Sequence, residues 1–501
     1  MARVVKAALA TLLVFALVWT AVIVHWQATA RQPSGADIVL SLVLLPIALA
    51  ALLFASIRAF KRARMPAASA PAGSAAAQPS SGHAAGTDSP RAPLAIVASA
   101  IIGAAGNTSA ELAAAFADGK PPALDTELRD RDGFPVFAAR AVIDSALIEE
   151  WRASLAGRRD TFAPSAAIDD EVLRTLALAS MAIDALLHEL ATLPNFVLMS
   201  DMGDEAEHRK PQRAAPRWFV TLLLPPEWTD ALRSAASELL GARIEAGLAE
   251  LGLHAGAREI SAPLVRLGVE TMTLIDSLEA RLAADTQRGM APGIALIVAA
   301  ASHIGESTID AWQSRGTLFG AATPQGLVPG ECAAGLVMTP ASLASQQVGE
   351  NATHPPLFAA AKRVHLHRVA SGRRETPVDA RGKASADALA TVADRALLAA
   401  GPAAPAQPLS PDQLACLVAD SGPQAVHVLE LAALVSERFP DLDPLADNWA
   451  LGSIQGHIGV AGTLAALCVA HACAIAREAP VLVASTSDRF ERAAAVLTIA
   501  A

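Results

Sequence analysis

The stretch Gly456-His457-Ile458-Gly459-Val460-Ala461-Gly462 opens onto Gly462–Arg477, a run that is apolar on nearly every face of a helix. A helix apolar all round must be covered on all sides, so it belongs in the centre of a layered body. Working outward, short apolar strands are expected at Val481–Ala484 and Ala493–Ile499 after it, and at Leu414–Ala419 and Val364–Val369 before it. Further upstream the same reading gives Ile294–Ala300, Trp218–Leu224 (closed by Pro225-Pro226) and Leu94–Ala98. Helices fall between them. Ser109–Asp118 is predicted with Ser109 as N-cap. Asp169–Leu190 places Leu173, Leu176, Ala177, Met181, Leu186 and Leu187 near helical spacing, with Asp169, Asp170 and Glu171 complementing its N-terminus. Thr271–Ala284 is a third. Alternating short strands and helices predict an α/β sandwich of layers.

The chain has 501 residues, 53% of them hydrophobic, and no tyrosine; its mean hydropathy is +0.37. An alanine-rich, tyrosine-free composition fits a GC-rich bacterial genome. The first 64 residues carry seven basic residues against Asp37, whereas the remainder carries 32 basic and 48 acidic residues, a net −16. So acidic a body argues against a nucleic-acid partner. Cys332, Cys416, Cys468 and Cys473 show no paired spacing, which fits a reducing compartment better than a disulfide framework.

Ala7–Val24 and Ile38–Ile57 are uncharged apolar runs of 18 and 20 residues, each long enough to cross a bilayer as a helix. A cleaved signal peptide is the alternative for the first, but the second follows almost at once. Arg3 and Lys6 flank one end and Arg58, Lys61, Arg62 and Arg64 the other, so both termini are expected on the cytoplasmic side of a bacterial inner membrane. Residues 1–64 thus read as a transmembrane hairpin. Residues 65–93, nearly all Ala, Pro, Ser and Gly, read as a flexible linker.

A second motif is Pro324-Gln325-Gly326-Leu327-Val328-Pro329-Gly330-Glu331-Cys332-Ala333-Ala334-Gly335. With Gly456–Gly462 and the opening Ile96–Gly103, Gly106-Asn107-Thr108 and Gly119-Lys120, it resembles the β-ketoacyl synthases of the thiolase-like superfamily. The resemblance runs from residue 94 to 501. It implies a duplicated thiolase-like αβαβα five-layer sandwich, its halves 94–345 and 346–501, and a dimer, either with itself or with an active ketosynthase.

A condensing enzyme of this kind holds its acyl chain on a cysteine thiolate at a helix N-terminus, with two histidines and a supporting lysine. The corresponding helix entrance here reads Arg266-Leu267-Gly268-Val269-Glu270-Thr271-Met272-Thr273, without cysteine. Thr271 or Thr273 would need a base, and Glu270 nearby would raise a threonine's pKa. Where the family has its first histidine, the segment Val418-Ala419-Asp420-Ser421-Gly422-Pro423 offers Asp420; the lysine position falls on Gly452. Only the second histidine remains, as His457. The family's glycine-rich turn is replaced by Ser487-Asp488-Arg489-Phe490-Glu491-Arg492, expected to fill and charge the acyl pocket.

His457, Asp420 and Thr271 are therefore the candidates for a vestigial pocket. For His457 the alternative is a packing or capping role; for Asp420 with Ser421, a turn or cap pair. Cys332 reads as a small packed hydrophobe. His365 and His367 read as an exposed strand face and His427 with Glu430 as a surface pair, so neither a metal site nor a cofactor is expected. Asp201 to His208 reads as a solvated acidic loop. Lys362, Arg363, Arg368, Arg373 and Arg374 form a basic patch to which an acyl carrier protein could dock; the alternative is a solvated strand end. Three readings stay open: an inactive, membrane-anchored ketosynthase-like binding or scaffold subunit; an acyltransferase or thioesterase using His457 as general base; and a structural component of a membrane secretion or envelope complex.

Overall fold

The structure, a computed structural model, describes residues 93–157, 168–193, 216–253, 258–288, 293–341, 363–379, 385–401, 407–422 and 424–500. The expected hairpin, the linker up to residue 92, the acidic loop after Asp201 and Lys362 lie outside the described residues. All elements below belong to the compact unit Asp88–Ala501.

In chain order these are β1 (Leu94–Gly103), α1 (Ser109–Asp118), β2 (Ala123–Arg129), β3 (Pro135–Ala138), α2 (Ser145–Ala156), α3 (Asp170–Ala191), β4 (Arg217–Leu223), α4 (Asp230–Glu250), β5 (Arg258–Ser261), α5 (Gly268–Gln287), β6 (Gly293–Ser302), α6 (Glu306–Arg315) and β7 (Glu331–Pro340). Then come β8 (Val364–Leu366), β9 (Ala370–Arg373), α7 (Asp387–Ala400), β10 (Cys416–Ala419), α8 (Ala425–Arg438), β11 (Asn448–Ala450), α9 (Gly452–Gln455), α10 (Gly462–Arg477), β12 (Val481–Ser485) and β13 (Glu491–Ile499).

The strand order contains one pattern twice. The first half runs β5-β4-β6-β7-β1 and the second β11-β10-β12-β13-β8. In each, the first three strands pair in parallel and the last two pairings are antiparallel. The halves meet where β1 pairs with β8, Leu94 opposite Leu366 and Ile96 opposite Val364.

Side chains alternate across these strands with period two, and that alternation makes the layers. On β6, Ile294, Leu296, Val298 and Ala300 face an outer core with α3 and α4, whereas Ala295, Ile297, Ala299 and Ala301 face a central core. On β13, Ala494 and Val496 join α7 and α8 in a second outer core, whereas Ala493, Ala495 and Leu497 point inward. The central core holds α5 and α10, each packed against strands of both halves. The result is the five-layer αβαβα arrangement. The helical stretch Gly459–Arg477, which ends in α10, is long and apolar enough to cross a membrane, alone among the described helices, and it lies in the buried middle layer with α5.

Several boundaries move. Thr108, not Ser109, caps α1, its side chain accepting from the Glu111 amide at 3.2 Å. Asp169 caps α3 by accepting from the Val172 amide at 3.0 Å. The helix expected from Thr271 begins three residues earlier, at Gly268. Helix α4 escaped the reading although Leu232, Ala236, Leu240, Ile244 and Leu248, all buried, recur at every fourth position.

Candidate functional site

The two sequence motifs meet in space. The His457 amide donates to the Val328 carbonyl at 2.7 Å, and Pro329 lies opposite His457 in an isolated parallel bridge. Backbones approach so closely here that a Cβ on Gly330 would lie 2.0 Å from the Gln455 carbonyl oxygen. Gly456 has φ +65°, a left-handed conformation that favours glycine. The same segment fixes a second histidine, because the His303 amide donates to the Gly330 carbonyl at 3.0 Å.

Beneath this junction, the fully buried Glu331 carboxylate accepts from the Ala141 amide (2.7 Å), the Ser302 hydroxyl (2.8 Å) and the Arg174 guanidinium, through both Nε (2.8 Å) and Nη2. A buried charge is tolerated when paired and hydrogen-bonded in this way. It anchors the start of β7 to α3, and with it the preceding loop, whose carbonyls hold the amides of both histidines.

The imidazoles of His303 and His457 lie with ring centroids 5.0 Å apart at 30°. Trp312 of α6 packs against both, at 5.3 Å and 5.5 Å, and is itself backed by Ile304, Ile309 and Leu318. Burial pushes His457 down to about 4; burial, then the neighbouring His457, pushes His303 down to about 3. Both are therefore neutral near pH 7. His303 Nε2 is buried and has no hydrogen-bond partner among the described residues.

Across from the histidines, Asp420 follows the last residue of β10 and is buried. Its Oδ1 accepts from the amides of Thr486 (2.8 Å) and Ser487 (3.1 Å). Its Oδ2 accepts from the hydroxyls of Thr463 and Ser485, each at 2.6 Å, and of Ser487 at 3.4 Å. The N-terminus of α5 ends against this network at Gly268. A Cβ there would lie 2.1 Å from Ser485 Oγ, 2.3 Å from Thr463 Oγ1 and 2.4 Å from Asp420 Oδ2. The helix tip has no room for a side chain. Thr271 sits almost a turn further into α5 and is buried.

A cavity of about 240 Å³ joins these parts. Its walls include Arg266, Leu267 and Gly268 from the helix entrance, Asp420, His303 and His457, and Ser487 and Asp488. Of the three sequence candidates, His457 and Asp420 share this cavity and Thr271 does not line it.

No family model matches this sequence, and no curated protein matches it. Among solved structures, the chain is similar to the ishigamide ketosynthase/chain length factor at 18% identity, over 82% of this chain and 100% of that one, with a TM-score of 0.45. It is similar to a type II PKS acyl-carrier protein in complex with its ketosynthase at 12% identity, over 81% and 99%, TM-score 0.49. An oxazolomycin ketosynthase domain from Streptomyces albus gives 11% identity over 82% and 75%, TM-score 0.49. The duplicated strand order stands independently of these likenesses.

Other expectations change. Glu430 is no surface residue: it is fully buried, bonded by Arg492 through Nε (3.1 Å) and Nη2 (2.8 Å) and by Arg374 Nη1. His427 beside it is buried too. Arg374 therefore belongs to the interior and not to a docking patch, while Arg373 remains exposed and pairs with Glu491 at 2.8 Å. In the segment 487–492, Ser487 and Asp488 line the cavity. Arg492 instead turns inward to Glu430, and Arg489 pairs outward with Asp379 at 2.9 Å. His365 and His367 are half-buried, and His367 Nε2 bonds Thr498 Oγ1 at 2.8 Å. Asp420 is a buried hub rather than a turn residue, and His457 does not cap α10, which starts at Gly462. Cys332 is fully buried. His303, Gly268 and the Glu331–Arg174 pair went unread. His303 alone left a signal, a histidine placed directly after a long apolar strand.

Proposed function

We propose that this protein is a ketosynthase-like binding or scaffold subunit that does not itself form carbon–carbon bonds, held to the membrane by the hairpin of residues 1–64. One observation carries the reading. At the helix tip facing the cavity, where a thioester-forming side chain would have to stand, the residue is Gly268, and the space its Cβ would need is already taken by Asp420, Ser485 and Thr463. Without a nucleophile to hold an acyl group, the dipole of α5 and the two imidazoles have nothing covalent to activate. A hydrolytic role is less well supported. A general base works best with a pKa near the working pH, and burial holds His457 at about 4. On this reading the partner is an active ketosynthase or an acyl carrier protein, with a membrane envelope assembly as the alternative.

The test uses the full chain in detergent. It is incubated with acyl and malonyl thioesters of a carrier protein, then read by intact mass and product analysis. The expected result is no acyl adduct and no condensed product; either one overturns the proposal. Affinity capture of the same material then separates a ketosynthase or carrier partner from an envelope complex.

A further inference from the structure

Two of the four cysteines touch. Cys416 opens β10 and Cys473 lies on α10, and their Sγ atoms are 2.9 Å apart although 57 residues separate them in the chain. Packing of the central helix on β10 brings them together. Closing a disulfide, with its sulfurs about 2.0 Å apart, asks for a shift of only about 1 Å.

The two thiols are not equivalent. Cys416 is 0% exposed and Cys473 is 5% exposed. Arg477, one helical turn beyond Cys473, is held in place by the Ala415 carbonyl at 2.6 Å and Asp447 at 2.7 Å. The hydrogen bond from Cys416, and after it the charge of Arg477, lower the Cys473 pKa. Thiolate character and access are what select a cysteine for oxidation. Cys332 and Cys468 have neither: both are fully buried, burial pushes both thiols up, and Cys468 Sγ donates to the Ala100 and Gly335 carbonyls at 3.3 Å.

We propose that Cys416 and Cys473 form a redox-active dithiol, with Cys473 attacking and Cys416 resolving, whose oxidation pins the central helix to the strands of the second half. The oxidant class is a small peroxide. The Cys473 thiolate attacks one oxygen of hydrogen peroxide; the O–O bond breaks, hydroxide leaves and takes up the proton that the Cys473 thiol had released, forming water, and Cys473 becomes a sulfenic acid. Cys416 sulfur then attacks Cys473 sulfur, the S–O bond breaks, and hydroxide leaves with the Cys416 proton as a second water. Two thiols lose two electrons and two protons, and one peroxide becomes two waters. The new bond would join the strand that ends one residue before Asp420 to the helix that follows the His457 loop, so oxidation would lock two walls of the cavity together.

The test reduces the full detergent-solubilised chain, removes the reductant, adds hydrogen peroxide, blocks free thiols with N-ethylmaleimide and maps the peptides by mass spectrometry. One linked pair, Cys416 with Cys473, is expected, together with a higher thermal midpoint than the reduced protein. Cys416→Ser should leave a sulfenic acid on Cys473 that dimedone traps; Cys473→Ser should leave Cys416 untouched. The proposal falls if peroxide leaves both thiols open to maleimide, if the link includes Cys332 or Cys468, or if dimedone finds Cys416 instead. A linked protein with an unchanged midpoint overturns the locking.

Discussion

Asp420 presents its two oxygens to different kinds of donor, and that difference can be measured. Oδ1 holds two backbone amides, which cannot turn away; Oδ2 holds hydroxyls, which can rotate to accept instead. Asp420→Asn, with its carbonyl toward the amides and its NH2 toward Ser485 and Thr463, should cost under about 1 kcal/mol. Asp420→Ala orphans all the donors and should cost about 3 kcal/mol. Urea unfolding of the two variants checks this, and equal losses would contradict the network. The histidines give a pH dependence with a definite sign. His303 and His457 have folded values of about 3 and 4, below the ordinary 6.5, so the unfolded chain binds more protons as pH falls. Stability is full above about pH 6.5 and should drop below it, by at most about 1.4 kcal/mol per pH unit for each histidine, until the folded values are reached. Replacing His457 by Gln should flatten the slope of unfolding free energy between pH 6.5 and 4.5 by one histidine's share; an unchanged slope would count against its burial. At this scale the sequence revealed residue types but not their surroundings. His457 and Asp420 stood out because a family pattern marked their places. Gly268 did not, because an absent side chain leaves no mark until its neighbours are seen.

At the scale of elements, α8, β13 and the segment around Arg374 are joined by one buried carboxylate. Glu430 and Arg492 are each 0% exposed. Arg492 Nη1 donates to the Asp488 and Glu491 carbonyls, so the ion cluster also shapes the turn that ends at the cavity rim. Removing one partner strands a buried charge. Glu430→Ala should therefore cost about 3–5 kcal/mol, detectable as a large fall in the unfolding midpoint. A change below 1 kcal/mol would mean that water reaches the cluster. Charged residues in sequence read as solvated unless something names a partner, and here the partners come from distant segments. That is why Glu430 and Arg374 read from sequence as surface residues. Long periodic elements were legible by contrast: α3 and α10 carry their burial in their spacing, whereas the four-residue β5 and the β2–β3 hairpin are too short and too exposed to carry a period.

For the whole molecule, the layer order makes the halves interdependent. Helices α5 and α10 belong one to each half, yet each packs on strands of both. A fragment ending at residue 345 should therefore expose one face of its sheet and of α5, and show no cooperative unfolding transition by circular dichroism; the intact body should unfold in one step. A fragment that melts cooperatively would show the first half to be self-sufficient. The layered class was legible because short apolar strands alternate with helices along the chain. The doubling was expected from the family resemblance alone, and the pairing order shows it, with β4 and β10 in equivalent places without a shared sequence pattern.

The middle layer has one last consequence, for biosynthesis. Together with the turn before it, helix α10 (459–477) has the length and greasiness of a bilayer span, and its cover includes β13, which is made after it. During translation that segment leaves the ribosome before this part of its shelter exists. A premature stop just ahead of Glu491 would leave the face that β13 covers exposed, inviting insertion machinery or chaperones to claim it. Such a product should partition with membranes or inclusion bodies, a quality-control hazard written into the order in which the chain is made.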